Sequence, residues 1–403
     1  MKIRAVYDII SESMLFFVLR KKETFFCFLF ENLVTKKALN IFLPYTLAVS
    51  YINKNYGGSA MITIKDIAAL SGVSPTTVSN VIHGRTQKMS AETLETVRKT
   101  IKEQNYVSNM AGRLLANYGS RIIGVIMTYE RRNEINAVQN PFYSEIIGAL
   151  EKEIRSNGYY MMLYTSGDAE ESIQMALSWN VEGLIILGCP PCDCKKLKQG
   201  LNKPIVFIDT YFDSDKDDYD NVGLQDYEGG YLMTDYLIKM GHRKIAFLAD
   251  MEHPVGVDYE RLRGYRDALK NAGIQSMPDD YITLPFRLEE RNKKMREFCH
   301  ERIHNFSAMF FASDFYAIDA VNVFFSEGIS VPEMISVVGF DDNIFAVESR
   351  PKLTTVRQNI SDKAYFAVKK IMDIILGGNC GEKNIRLPVK LIIRDSVLKN
   401  SEN

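Results

Sequence analysis

The chain has 403 residues, 46% of them hydrophobic and 25% charged, with a net charge of −1. That is ordinary globular composition with room for two or three domains, and it excludes a low-complexity or wholly disordered polymer. The charge is unevenly spread: residues 1–60 carry eight basic against four acidic side chains, residues 61–118 seven against four, and residues 119–403 a net −8. A small basic module on a large acidic body suits a nucleic-acid reader joined to something else. Six scattered cysteines form no secretory disulfide framework and point to a reducing, cytoplasmic compartment.

Residues 1–60 hold short apolar bursts, interrupted by Arg20, Lys21, Lys22 and Glu23 and later by Asn40 and Pro44. None reaches the ~18–20 apolar residues of a membrane-spanning helix, and no signal-peptide core with a cleavage site is visible. Gly57, Gly58 and Ser59 have codons that can spell a purine-rich ribosome-binding site, and a self-contained domain begins within two residues of Met61. Met61 is therefore the expected functional start, with 1–60 a mis-assigned leader or a disordered tail.

Residues 61–106 predict a helical DNA-reading domain. Thr63, three residues before Asp66, is an N-cap signal with an acid in the first turn. Ile64, Ile67 and Ala68 share one helical face, and Ser71-Gly72 stops the helix, because glycine accepts the left-handed conformation of a tight turn. Ser74 is a second N-cap and Pro75 sits at the first helical position, where a missing N–H costs nothing. Val78, Val81 and Ile82 form the buried stripe of this second helix, while Thr76, Thr77, Ser79, Asn80 and His83 line its other face. Two short helices around a tight glycine turn make a helix-turn-helix, whose second helix lies in the major groove. Asn80 suits a bidentate bond to adenine and Thr76 a thymine methyl. An ordinary helical hairpin with a solvated polar face would share the pattern. A third helix, capped by Ser90, carries Leu94, Val97 and Ile101 on one side.

The run Thr-Ile-Lys-Asp-Ile-Ala, the following Gly-Val-Ser and Thr-Val-Ser, and the segment Tyr106…Asn109…Arg113-x-Leu115 resemble the headpiece and hinge of the LacI/GalR family of bacterial repressors. The resemblance implies a hinge helix within 107–120, with Leu115 wedging into the minor groove and Arg113 as the hinge arginine. Two positions depart from the family pattern: Ser108 replaces its proline and Gly112 its alanine. Glycine costs a helix about 0.5–1 kcal/mol, so this hinge is expected to order less readily.

From Arg121 onward, apolar strand-like runs (122–127, 159–164, 181–187, 205–208, 245–249, 308–311 and 335–340) alternate with helical patterns such as 141–157 and 170–179. This predicts an α/β fold with parallel sheets and a ligand at the strands' carboxyl ends. The family resemblance continues through Asn140-Pro-Phe-Tyr, Gly-His-Arg-Lys-Ile-Ala and Val-Val-Gly-Phe-Asp-Asp to about Asp395. It implies, for 121–403, two α/β subdomains of periplasmic-binding-protein type, dimerising and holding a small effector between them. Position by position it places Phe142 and Tyr143 beside the effector and Asp209, Arg261 and Asp341 in hydrogen-bonding roles. Ser313 stands where many members have a ligand-binding asparagine. Aromatic faces with a few carboxylates and one arginine suit a sugar or sugar derivative.

Three further patterns carry less. Cys189, Cys192 and Cys194 lie within six residues, but zinc wants four ligands and no second Cys/His pair is close in sequence. Asp213, Asp215 and Asp217 open like a calcium loop, but Asp218 and Leu224 stand where glycine and glutamate belong. No nucleophile–base pattern or phosphate-binding loop is present, so neither catalysis, a metal nor a cofactor is expected. The expected partners are a near-palindromic duplex operator, a carbohydrate-like effector and a second copy of the chain. A plain solute-binding protein is the alternative reading, opposed by the helix-turn-helix.

Overall fold

The computed structural model describes residues 62–82, 84–106, 119–128, 137–211, 218–378 and 381–400. The expectations for 1–60, His83, the hinge with Arg113 and Leu115, and the aspartate loop at 213–217 lie outside them. The chain divides into two compact units, residues 1–109 and 110–403.

In the first unit, α1 (Ile64–Ser71), α2 (Pro75–Ile82) and α3 (Ala91–Glu103) pack around Ile67, Ala68, Val78, Val81 and Val97. The punctuation works as its chemistry suggests. Thr63 and Asp66 form a reciprocal capping box, the Thr63 amide donating to Asp66 Oδ2 at 2.8 Å and the Asp66 amide to Thr63 Oγ1 at 3.3 Å. Gly72 closes α1 with φ +66°. The Thr77 amide donates to Ser74 Oγ at 3.1 Å and the Thr93 amide to Ser90 Oγ at 3.2 Å, starting α2 and α3.

The second unit has two parallel sheets. The first has strand order β11-β5-β4-β3-β1-β2, from β1 (Ile122–Thr128), β2 (Tyr160–Ser166), β3 (Gly183–Leu187), β4 (Ile205–Ile208), β5 (Asp220–Leu224) and β11 (Asn384–Leu387). One face packs on α4 (Pro141–Ser156) and α12 (Ile360–Ile375), the other on α5 (Ala169–Ser178) and α6 (Pro191–Gly200). β3 is buried on both faces, Ile185 and Leu187 joining one cluster and Leu184 and Ile186 the other, the two-sided burial of a central parallel strand. The second sheet has order β7-β6-β8-β9, from β6 (Ile245–Ala249), β7 (Tyr281–Thr283), β8 (Ala308–Phe311) and β9 (Ser336–Val338). It lies between α7 (Asp226–Lys239) with α8 (Gly256–Asn271) and α9 (Leu288–Glu301) with α10 (Asp314–Ser326). The short α11 (Ile344–Glu348) follows, then β10 (Thr355–Arg357), which pairs antiparallel with β12 (Lys390–Ile392). The chain thus passes between the two layers three times: from β5 into α7, from β10 into α12 and from β11 into β12.

Candidate functional site

Every candidate effector residue lies at the carboxyl end of a strand, beside a crossover or on a helix that faces one. Asp209 follows β4 with φ +56°, and Asp341 follows β9 with φ +123°. Left-handed backbone at a residue other than glycine persists only where surroundings hold it, and such residues cluster at ligand sites.

Asn140 caps α4, its Oδ1 accepting the Phe142 amide at 3.0 Å, with Pro141 in the first turn. That start sets Phe142 and Tyr143 edge to face, ring centroids 5.3 Å apart, both half-buried. On α12, the fully buried Lys363 holds its ammonium 5.2 Å from the Phe142 ring centroid. Its three donors are all taken: Asp209 Oδ1 at 2.8 Å, Asp209 Oδ2 at 2.7 Å and Gln358 Oε1 at 2.8 Å. Gln358 lies in the second crossover and donates through Nε2 to Asp341 Oδ1 at 2.7 Å, while Ser313, the N-cap of α10, donates to Asp341 Oδ2 at 2.9 Å.

Arg261 reaches the same place from α8. Its Nε donates to Asp226 Oδ1 at 2.8 Å and its NH1 to the Ala312 carbonyl at 2.7 Å, with Asp341 Oδ1 at 4.0 Å. Its guanidinium lies 3.6 Å from the Phe340 ring centroid. Two glycines allow this. A Cβ on Gly230 would stand 2.1 Å from the Arg261 carbonyl oxygen, and one on Gly264 2.1 Å from that of Tyr227. So α7 and α8 approach backbone to backbone, and Asp226 in the first turn of α7 meets Arg261. Tyr211 also donates its hydroxyl to Asp226.

The electrostatics follow from burial. Desolvation pushes the carboxyls of Asp209 and Asp341 above their ordinary range, with Lys363 opposing at the first and Arg261 at the second. Burial lowers the pKa of Arg261, but Asp226, Asp341 and Asp258 outweigh it and the net shift is upward. Asp258, in the first turn of α8, is raised to about 7 by burial and then by Asp250, which accepts the Tyr316 hydroxyl at 2.8 Å. The structure therefore joins Phe142, Asp209, Arg261, Ser313 and Asp341 in one polar cluster spanning both layers, with Tyr143 against Phe142. Sequence reading missed Lys363, Gln358, Asp226 and Tyr211. Asp226 and Gln358 belong to crossovers that no local pattern marks, and Lys363 reads as an exposed charge on an amphipathic helix.

In the first unit Thr76 is exposed and Thr77, Ser79 and Asn80 are half-exposed on the face of α2 opposite Val78 and Val81. Thr63 and Ser74 are occupied as caps, Ser74 Oγ lying 2.9 Å from Thr77 Oγ1. Of the thiols, Cys189 and Cys194 are buried and Cys192 is exposed, and no metal-holding group of three ligands occurs among the described residues. His242 is buried between Ser307 Oγ and the Leu398 carbonyl, with its pKa lowered by burial, a structural role.

Comparison with known proteins supplies the frame. Residues 63–109 match the profile described as "Bacterial regulatory proteins, lacI family", and residues 234–397 match a "Periplasmic binding protein-like domain". The sucrose operon repressor of Pediococcus pentosaceus is 30% identical over 335 residues, 82% of this chain and 97% of the relative. The chain belongs to the lacI family of bacterial regulatory proteins. A ribose operon repressor from Haemophilus influenzae is 29% identical, covering 84% of this chain and 99% of its own length. The transcriptional repressor PurR of Pasteurella multocida is 30% identical over the same shares. Among solved structures, the lac repressor dimer bound to operator and the anti-inducer ONPF aligns with a TM-score of 0.72 at 26% identity, covering 84% of this chain and 99% of that one. A CelR–cellobiose complex aligns with a TM-score of 0.62 at 28% identity, over 83% and 99%. As a lacI-family member the chain is a DNA-binding transcriptional regulator, with a helix-turn-helix and a two-layer sensing unit. No helix among the described residues is long and apolar enough to cross a membrane.

Proposed function

We propose that this lacI-family chain is a cytoplasmic homodimeric repressor whose DNA affinity is set by a neutral sugar, or a close sugar derivative, bound between the two layers. The observation that carries the reading is the run Asp209–Lys363–Gln358–Asp341 beside the Phe142 ring. It sets an aromatic face beside carboxylates whose charges are paired and whose oxygens can accept further hydrogen bonds, which suits sugar ring faces and hydroxyl groups. An anionic effector would meet Asp209, Asp226 and Asp341 against Lys363 and Arg261, an excess of like charge. The relatives' printed names and ligands, among them ribose, sucrose and cellobiose, support the same class.

In this reading Asn80, Thr76, Thr77, Ser79 and His83 face base edges, Thr63 and Ser74 cap helices at the phosphate backbone, and Arg113 and Leu115 act from the hinge. Residues 61–106 form the reader, 107–120 the hinge and 121–403 the sensor. Two copies are needed because one helix-turn-helix reads too few base pairs to find a site in a genome. The test is a thermal-shift panel of neutral sugars, sugar phosphates and purine bases on the full chain, followed by gel shifts with the compounds that bind. Neutral sugars raising the melting temperature and altering DNA binding is the expected result; shifts from phosphorylated sugars or purines alone would overturn the effector class.

A further inference from the structure

We propose that Glu182 is a positioning residue for DNA binding: its carboxylate fixes the direction in which the linker joins the sensing unit. The proposal rests on the reading of the chain as a DNA-binding repressor. The chain comes into β1 through Gly119, Ser120 and Arg121, with φ +74° at Gly119 and +51° at Arg121. Left-handed backbone is unfavourable for an arginine, so its surroundings must hold it there.

The holding bonds are specific. The Arg121 amide donates to Glu182 Oε1 at 2.6 Å. Ser120 is fully buried; its hydroxyl donates to the Asn180 carbonyl at 2.7 Å and accepts the Ile122 amide at 3.2 Å. A Cβ on Gly119 would stand 2.3 Å from Glu182 Oε1, so the glycine and the carboxylate interlock.

β1 pairs with β2 over Ile122–Thr128 and with β3 over Ile123–Met127, and backbone bonds extend these ladders to the junction, the Tyr160 amide donating to the Arg121 carbonyl and the Glu182 amide to the Ile122 carbonyl, both at 2.8 Å. The Glu182 side chain acts on the residue before the strand, where the linker arrives. Glu182 also leads directly into β3, and the other end of that strand is the cleft: the Gly188 amide donates to the Ile208 carbonyl at 3.0 Å, next to Asp209. A single short strand, rising about 3.3 Å per residue, therefore has the linker anchor at one end and the effector site at the other.

The test uses the full chain and a DNA duplex that the parent protein selects from a random library, with binding read by fluorescence anisotropy and folding by differential scanning calorimetry. Glu182→Ala is expected to weaken DNA binding about tenfold or more, while the melting transition of the sensing unit is retained. Glu182→Gln keeps an oxygen that accepts the Arg121 amide and is expected to bind as the parent does. Gly119→Ala strains the left-handed residue and displaces the Glu182 carboxylate that its methyl would meet, so it is expected to behave like Glu182→Ala and decides the matter should Glu182→Ala fail to fold. Parent-like DNA binding by Glu182→Ala and Gly119→Ala overturns the proposal. So does loss of binding in Glu182→Gln equal to that in Glu182→Ala, since that marks general damage to the sheet. A parent chain that selects no duplex at all defeats the repressor reading itself, and the proposal with it.

Discussion

The two units keep their candidate site residues in opposite states. In the helical unit, Thr76 is exposed and Ser79 and Asn80 are half-exposed, on the face of α2 opposite the buried Val78 and Val81. In the α/β unit, Asp209, Arg261, Asp341 and Lys363 lie inside, bonded to one another and to the backbone. The difference teaches that the candidate reading face can change without disturbing its scaffold, whereas the candidate effector site is part of its scaffold. Ligand recognition and stability must therefore separate under mutation in the first unit and move together in the second.

The largest expected effect tests the second half of that statement. Arg261→Ala leaves Asp226 buried without its guanidinium and is expected to cost about 3–5 kcal/mol of stability, the penalty typical of breaking a buried pair, and to abolish the response to effector. Urea melts and effector titrations read the two; a variant that keeps the response would show that the cleft assignment is wrong. Lys363→Met is expected to destabilise by a similar amount through the stranded Asp209 carboxylate, and Lys363→Met combined with Asp209→Asn to recover most of it. Should the double variant be no more stable than the single one, the Asp209–Lys363 pair is not the source of the loss.

The helical unit supplies the smaller effects. Asn80→Ala is expected to weaken operator binding by about 1–3 kcal/mol and to relax preference at one base pair per half-site, with an unchanged melting temperature. An unaltered profile across operator variants removes Asn80 from the reading face. The smallest effect is a pH trend in the cleft. Asp258 has its pKa raised to about 7 by burial and by Asp250, so the folded chain holds a proton there that the unfolded chain releases near pH 4. Its contribution to stability is present at low pH and is lost as pH rises towards 7. Asp258→Asn is expected to flatten the fall in melting temperature between pH 5 and pH 8, and an identical slope in both proteins would contradict this.

How much of this was legible in the sequence also divides by unit. The helical unit could be read almost residue by residue, because caps, the glycine stop and the Val78/Val81 stripe are local signals that the structure repeats. In the α/β unit the apolar strands β4, β6 and β8 coincide with their sequence runs. β5, β7, β10, β11 and β12 did not stand out, being three to five residues long and polar or glycine-bearing. Phe142, Asp209, Arg261, Ser313 and Asp341 came from family resemblance, and the structure brings them together without testing their roles. Lys363 and Asp226 became visible only in three dimensions. A lysine on an amphipathic helix and an aspartate in a first helical turn look solvated until the α12–sheet packing and the Gly230–Gly264 approach bury them.

The central claim, that occupancy of the cleft sets DNA affinity, is tested most directly by reciprocal titration. Operator affinity is measured with and without a cleft-binding sugar, and sugar affinity with and without operator. Linkage requires the two ratios to be equal, typically about 5–150-fold. The account predicts that the sugar weakens DNA binding, that DNA weakens sugar binding by the same factor, and that Arg261→Ala abolishes both effects. A sugar that binds the cleft while DNA affinity stays unchanged would contradict it.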